Sequence, residues 1–187
     1  MSRLPHVEGS APDPITAEVF ATSISEGREP IALYRVLANN PVMLRSYAQL
    51  AKTLRYDAST PRALRELVIL RIAQLCASEY EWQHHRRMAA EAGVTDEQVA
   101  ALGEAATSPA FGETERAAIR LAEEQHDLRV SEGTIADLRR LVGDAATVEL
   151  TLLAGFYEAV ARMLQAFAIE VEPGQTLYAP VATPSPR

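Results

Sequence analysis

Residues 78–85 read SEYEWQHH, which places two carboxylates, a phenol, the only tryptophan and two of the four histidines within eight positions. On a helix, residues three, four and seven apart share a face. Ser78, Glu81 and His85 have that spacing and line one stripe, whereas His84 is turned about 100° away. A carboxylate beside an imidazole orients its proton and favours its charged form, a pairing suited to general acid–base catalysis. The same pattern also has a plain structural reading. Ser78 is a natural N-cap, which Glu81 at the third helical position would complete as a capping box. Glu81 and His85 would then be an exposed pair worth about 0.2–0.5 kcal/mol, and Tyr80 and Trp82 would be core.

Glu66 is the second candidate. It shares its segment with Leu64, Leu67, Val68, Ile69, Leu70, Ile72 and Leu75, which leaves little polar circumference. A buried carboxylate there needs a partner. Arg65 and Arg71 are available in sequence, and His85 across a helix–helix contact.

The elements that must position these groups read as helices almost throughout. Ile15–Ser25 is a short helix; Ile31–Ala38 follows Pro30; Pro41 opens a segment to about Leu54. Thr60-Pro61 reads as an N-cap with proline at the first helical position, opening RALRELVILRIAQLCA, the most apolar stretch of the chain. A helix from about Glu79 to Ala92 stops at Gly93, and Thr95 with Gln98 forms a capping-box pattern for a helix to about Leu102. Thr114 and Ser131 read as caps for ERAAIRLAEEQH and EGTIADLRRLV, and Gly143-Asp144 begins the last and longest helix. The expectation is an all-α bundle. A flexible arm covers residues 1–14, one helical domain residues 15–171, and a Pro-rich tail, expected to pack on a neighbouring subunit, residues 172–187.

Composition narrows the function classes. The chain has 187 residues, 48% apolar, with a net charge of −7 from 18 basic and 25 acidic side chains. An acidic chain with a single lysine is a poor match for nucleic-acid backbones, although arginine forks suit a small carboxylate. One cysteine, Cys76, forbids an intramolecular disulfide and a four-cysteine zinc site, and reads as a small buried apolar residue. MSRLPHVEGSAPDPI lacks the apolar core of a signal peptide, and no apolar run reaches membrane-span length. The expectation is a cytoplasmic protein that contacts neither membrane nor nucleic acid.

RELVILRIAQLCASEYEWQHHRRMAAEAGVTDEQVAAL, residues 65–102, resembles the core motif of the carboxymuconolactone decarboxylase family: Arg-Glu-Leu, about a dozen residues, then Glu-Tyr-Glu-Trp-x-x-His. ERAAIRLAEE and VELTLLAGFYEAVARML resemble its C-terminal half, so the likeness covers roughly residues 40–170. The resemblance implies an alkylhydroperoxidase D-like helical fold assembled as trimers or hexamers, with sites near subunit contacts. The related alkylhydroperoxidase D-like branch carries a redox Cys-x-x-Cys with a histidine three residues later. Aligning that histidine with His85 puts the cysteines at Ser78 and Glu81, so both thiols are absent, and Cys76 lies two residues too early. Hydroperoxide reduction by a dithiol is therefore not expected. The relay glutamate of that branch falls on Glu66, and its intermediate histidine on Tyr80.

What remains matches the decarboxylase-like branch, a lyase of aromatic-compound catabolism acting on a small carboxylated lactone. The resemblance implies His85 as proton donor, Glu81 or Glu66 as its orienting group, and Tyr80, Trp82 and Ser78 against the substrate, with no metal and no organic cofactor. Two alternatives stand beside it. One is a divergent member acting as another decarboxylase, isomerase or cyclase, or as a ligand-binding protein. The other is a di-iron bundle built from Glu81…His84, Glu123…His126 and single glutamates among Glu66, Glu149 and Glu158.

Overall fold

The computed structural model describes residues 2–8, 13–174 and 177–179. Among the described residues eight α-helices follow one another: α1 Pro14–Ser25, α2 Ala32–Leu37, α3 Pro41–Lys52, α4 Arg62–Leu75, α5 Glu79–Glu91, α6 Asp96–Ala100, α7 Glu113–His126 and α8 Glu132–Phe167. One π-type turn, Thr53–Asp57, extends α3, and among the described residues there is no strand. The fold is all-α, as the sequence predicts.

Two compact units form. The first comprises residues 1–57 and 163–176, the second residues 58–162 and 177–187. In the first, Phe20, Ala38 and Leu44 form a small core against Val7, Val19, Tyr34 and Leu37. The described N-terminal residues are bonded into this unit: Arg3 N–H donates to Phe167 O at 2.8 Å and Val7 N–H to Arg35 O at 3.0 Å. Asp13 and Asn40 cap α1 and α3 through their side chains, each ahead of a proline in the first turn.

The second unit is built around α4. Every residue from Leu64 to Gln74 is buried, because α5 and α7 pack on it. Leu67, Leu70 and Ala73 of α4 meet Trp82 and Ala89 of α5, Ile119 of α7 and Phe111. The polar members of α4 find partners: Arg71 pairs with Glu123 at 2.7 Å and Gln74 at 3.0 Å, and Arg65 donates to Thr60.

Helix boundaries depart from expectation at three places. The helix opened by Thr60-Pro61 begins one residue later, with Pro61 itself in the capping position. Thr114 is not a cap but lies inside α7, where Gly112 is the capping residue and Glu115 reaches back to its N–H at 2.7 Å. The carboxylate at the third helical position thus satisfies the cap's own N–H, and glycine is tolerated at the cap. The last two expected helices run together as α8, interrupted only at Gly143, whose φ of 84° and ψ of 171° turn the chain between residues 132–142 and 144–167. That backbone region is essentially confined to glycine. Gly143→Ala is accordingly expected to destabilise the protein by about 1–3 kcal/mol, read from the urea midpoint.

Residues 177–179 of the C-terminal tail lie on α5 of the same chain, whereas Glu172 accepts from Ala32 N–H at 2.7 Å in the first unit. Gln83 accepts from Tyr178 N–H at 2.7 Å and donates back to Tyr178 O at 3.1 Å; the Trp82 indole N–H donates to Ala179 O at 2.9 Å.

Candidate functional site

Cys76 closes α4, and a short turn with Ala77 at φ 50° leads to Ser78 at the start of α5. Folding α5 back along α4 sets the height at which their side chains meet. Glu66 lies ten residues before Cys76 and His85 seven after Ser78, about 15 and about 11 Å from the turn at 1.5 Å per residue. A glutamate arm spans the remainder. His85 Nδ1 and Glu66 Oε2 are 2.8 Å apart, with Glu66 3% and His85 5% exposed. Arg62, one turn earlier on α4, holds the other Glu66 oxygen at 3.8 Å. Tyr157 of α8 presents its ring edge-on to the imidazole, centroids 4.9 Å apart, and is itself buried. Between the open partners left by the sequence, the buried carboxylate of Glu66 thus takes His85; Arg65 and Arg71 are engaged elsewhere.

Glu81 behaves differently from the stripe drawn by spacing. It is 2% exposed, and neither carboxylate oxygen has a well-aligned hydrogen-bond partner. Burial pushes its pKa up to about 8; the Ser78 hydroxyl offsets part of that, and the charge of Glu158 adds to it. The Ser78–Glu81 capping box does not form: Ser78 occupies the N-cap position but makes no side-chain cap bond, because Glu81 is turned into the protein. Glu66, and not Glu81, is the carboxylate hydrogen-bonded to His85.

The remaining expected site residues divide. Tyr80 stacks on His84, ring centroids 4.3 Å apart, one turn along α5. Trp82 is in the core of the second unit and bonded to Ala179. Ser78 is buried beside Glu81.

A second cluster was not legible from spacing. Cys76 is not a plain apolar core residue but half-buried at the end of α4, with Sγ 3.9 Å from His126 Nδ1 at the end of α7. The same Nδ1 lies 2.5 Å from Glu158 Oε1 on α8. Burial first, then the charges of Glu158 and Glu81, push the Cys76 thiol from an ordinary 9.0 up to about 12. Three units cut the thiolate fraction at pH 8 about 10³-fold, while the greater nucleophilicity of a more basic thiolate returns about 20-fold. Alkylation by iodoacetamide at pH 8, with chelator present, is expected to run about 50-fold slower than for a small thiol and to keep rising beyond pH 10; a plateau below pH 9.5 would contradict this.

The di-iron alternative fails on placement. Glu149 accepts from Ser59 and Thr60 at 3.0 Å, Glu123 is paired with Arg71, and His84 lies on Tyr80. Glu123 and Glu149 are occupied as ion-pair and helix-end partners, and of the di-iron set His126 and Glu158 alone come together among the described residues.

A shallow apolar groove of about 440 Å³ lies along α8, lined by Gln125, Thr147, Val148, Thr151, Leu152, Gly155 and Phe156. Neither Glu66 nor His85 lines it. Phe156 on its wall contacts Tyr157, ring centroids 5.5 Å apart, and Tyr157 in turn covers His85. No helix among the described residues is long and apolar enough to cross a membrane.

Solved structures carry the same helical arrangement. A cysteine-to-alanine variant of the debrominase Bmp8 in complex with 2,3,4-tribromopyrrole superposes with a TM-score of 0.74 at 19% identity, covering 92% of this chain and 95% of that one. An uncharacterized peroxidase-related protein from Silicibacter sp. TM1040 gives 0.73 at 16%, covering 92% and 96%. An alkylhydroperoxidase AhpD core protein from Ralstonia eutropha JMP134 gives 0.67 at 18%, covering 92% and 93%. At such identities the likeness is one of fold. No curated protein matches the chain. The model of the carboxymuconolactone decarboxylase family matches residues 41–124, which contain α4, α5 and the Glu66–His85 pair. Residues 41–124 are thus similar to the carboxymuconolactone decarboxylase family, and the helical arrangement is that of alkylhydroperoxidase D-like structures.

Proposed function

We propose that this protein is a cofactor-independent decarboxylase of a small carboxylated lactone of the 4-carboxymuconolactone type. The observation that carries the reading is the buried Glu66–His85 hydrogen bond at 2.8 Å. With Nδ1–H donated to Glu66, the tautomer and ring plane of His85 are set, and the carboxylate stabilises the positive charge the ring bears before it gives up a proton. The substrate carboxylate leaves as CO2. The electron pair of the broken C–C bond passes into an enolate-like system conjugated with the lactone. His85 Nε2–H then delivers a proton to carbon. Glu81, mostly protonated at neutral pH, is a second proton source within the same helix. Arg62, partly exposed and 3.8 Å from Glu66, is our candidate cation for the substrate carboxylate.

The family resemblance carries the further expectation of trimers or hexamers. Val148 and Leu152, 66% and 50% exposed beside the α8 groove, are apolar surface that such assembly would cover.

The test is ultraviolet-monitored turnover of 4-carboxymuconolactone beside the corresponding lactone without the carboxyl group. Consumption of the first alone supports decarboxylation. Consumption of both supports an isomerase or lactone-opening activity instead. Binding of either without turnover supports a ligand-binding member of the family.

A further inference from the structure

The Cys76, His126 and Glu158 cluster has a geometry that proton relays do not use. In a thiol–imidazole–carboxylate relay the thiol and the carboxylate sit on opposite ring nitrogens, so that one orients the ring for the other. Here both face the same nitrogen: Sγ lies 3.9 Å and Oε1 2.5 Å from His126 Nδ1. One donor atom from each of the three side chains falls within 4.8 Å of the others. Once the thiol proton and the proton between His126 Nδ1 and Glu158 are displaced, three ligand atoms stand close enough together to share one cation.

We propose that Cys76 Sγ, His126 Nδ1 and Glu158 Oε1 bind a divalent transition-metal ion of the zinc type, at a site separate from the Glu66–His85 pair. The donor set decides the class. A thiolate and an imidazole select zinc or cobalt over magnesium or calcium, which take oxygen ligands. Three protein ligands leave a fourth position open to water or a small ligand, the pattern of catalytic rather than structural zinc. Tetrahedral zinc would hold sulfur and nitrogen about 3.6 Å apart and nitrogen and oxygen about 3.4 Å apart. The thiol therefore closes slightly, and the His126–Glu158 contact opens by about 0.9 Å, within the reach of side-chain rotation.

The surroundings support the assignment. Glu81 is buried and lacks a well-aligned hydrogen bond, and the charge of Glu158 helps hold both Glu81 and the Cys76 thiol in their protonated forms. A cation would relieve this crowding of acidic groups. His126 is 29% and Glu158 12% exposed, which gives an entry path from solvent. Arg162 occupies the other Glu158 oxygen at 3.3 Å, and its side chain is 74% exposed, so it can turn to water as the ion enters. On binding, the thiol proton is released to solvent and the Nδ1 proton that bonds Glu158 moves to Nε2 as the metal takes Nδ1, so one proton leaves per ion bound by a neutral thiol and a neutral imidazole.

The test uses the full chain, stripped with chelator and titrated with Co2+ as a spectroscopic probe and with Zn2+ as competitor. Because Cys76 is the only cysteine, a sulfur-to-cobalt charge-transfer band reports this site alone. The expected result is a band saturating at one Co2+ per chain, abolished by Zn2+, absent in Cys76→Ser, and weakened 10-fold or more in His126→Ala and Glu158→Gln. Zn2+ is also expected to protect Cys76 from alkylation in the unaltered chain, a readout that needs no variant to fold. No charge-transfer band together with no protection, or equal Co2+ affinity in the unaltered chain and in Cys76→Ser with an unchanged far-ultraviolet spectrum, would overturn the site. Neither readout involves lactone turnover, so loss of one proposal leaves the other standing.

Discussion

His85→Ala is expected to lower decarboxylation of the lactone about 10²- to 10⁴-fold, the range by which a positioned acid or base contributes. KM should move much less than kcat, because in the proposed reaction His85 acts on the carbon that acquires charge rather than on the departing carboxylate. The variant should still fold. It forfeits the 2.8 Å hydrogen bond and leaves Glu66 buried with Arg62 at 3.8 Å and the charge of Arg65 nearby. That loss is of order 1–3 kcal/mol, and the dense packing of Leu67, Leu70 and Ala73 on the same helix is untouched. Added imidazole should restore part of the activity by filling the vacated space beside Tyr157. Full activity in His85→Ala would remove the residue from the mechanism, and loss of activity without a folded far-ultraviolet spectrum would call for His85→Gln in its place.

The second large effect is on stability and concerns Glu81. Its pKa is about 8 in the folded protein against an ordinary 4.5. Between those values the folded state binds more protons than the unfolded state, so stability falls as pH rises. The contribution of Glu81 is fully present below about pH 4.5 and is lost progressively as pH passes through 8. Glu81→Gln cannot ionise. Relative to the unaltered chain it should be near neutral at pH 5 and progressively more stable toward pH 9, by as much as about 4 kcal/mol. Chemical denaturation of both proteins across that range, with chelator present, isolates the difference from every group they share. A constant difference between pH 5 and pH 9 would mean that Glu81 is ionised throughout and solvated in some way its burial does not suggest.

Much of the helical plan can be read from punctuation in the chain. Pro14 and Pro41 mark the first turns of α1 and α3, Gly93 ends the α5 region at a φ of 92°, and Thr95 with Gln98 makes the capping box its pattern predicts. These signals work because they are local: each depends on backbone groups within four residues. At the α7 start Gly112 and Thr114, two residues apart, both suit a cap, and the reach of Glu115 back to Gly112 decides between them. The site was legible in parts. Glu66 and His85 are conspicuous separately, as an acid in an apolar helix and a histidine on a polar stripe, but their contact depends on how α5 folds back on α4. Glu81 shows the limit of spacing arguments, since periodicity gives a shared face and not whether that face meets water. The Cys76–His126–Glu158 cluster is harder still. Its members lie 50 and 32 residues apart, on the ends or middle of three helices, and nothing local in any of the three segments points at the others.

The most direct test of the central claim is CO2 released per 4-carboxymuconolactone consumed, measured side by side for the chelator-treated protein and His85→Ala at matched folded concentration. The account predicts one CO2 per lactone from the unaltered chain without added metal, and a rate at least 100-fold lower from the variant. Lactone loss without CO2, or equal CO2 release from both proteins, would contradict it.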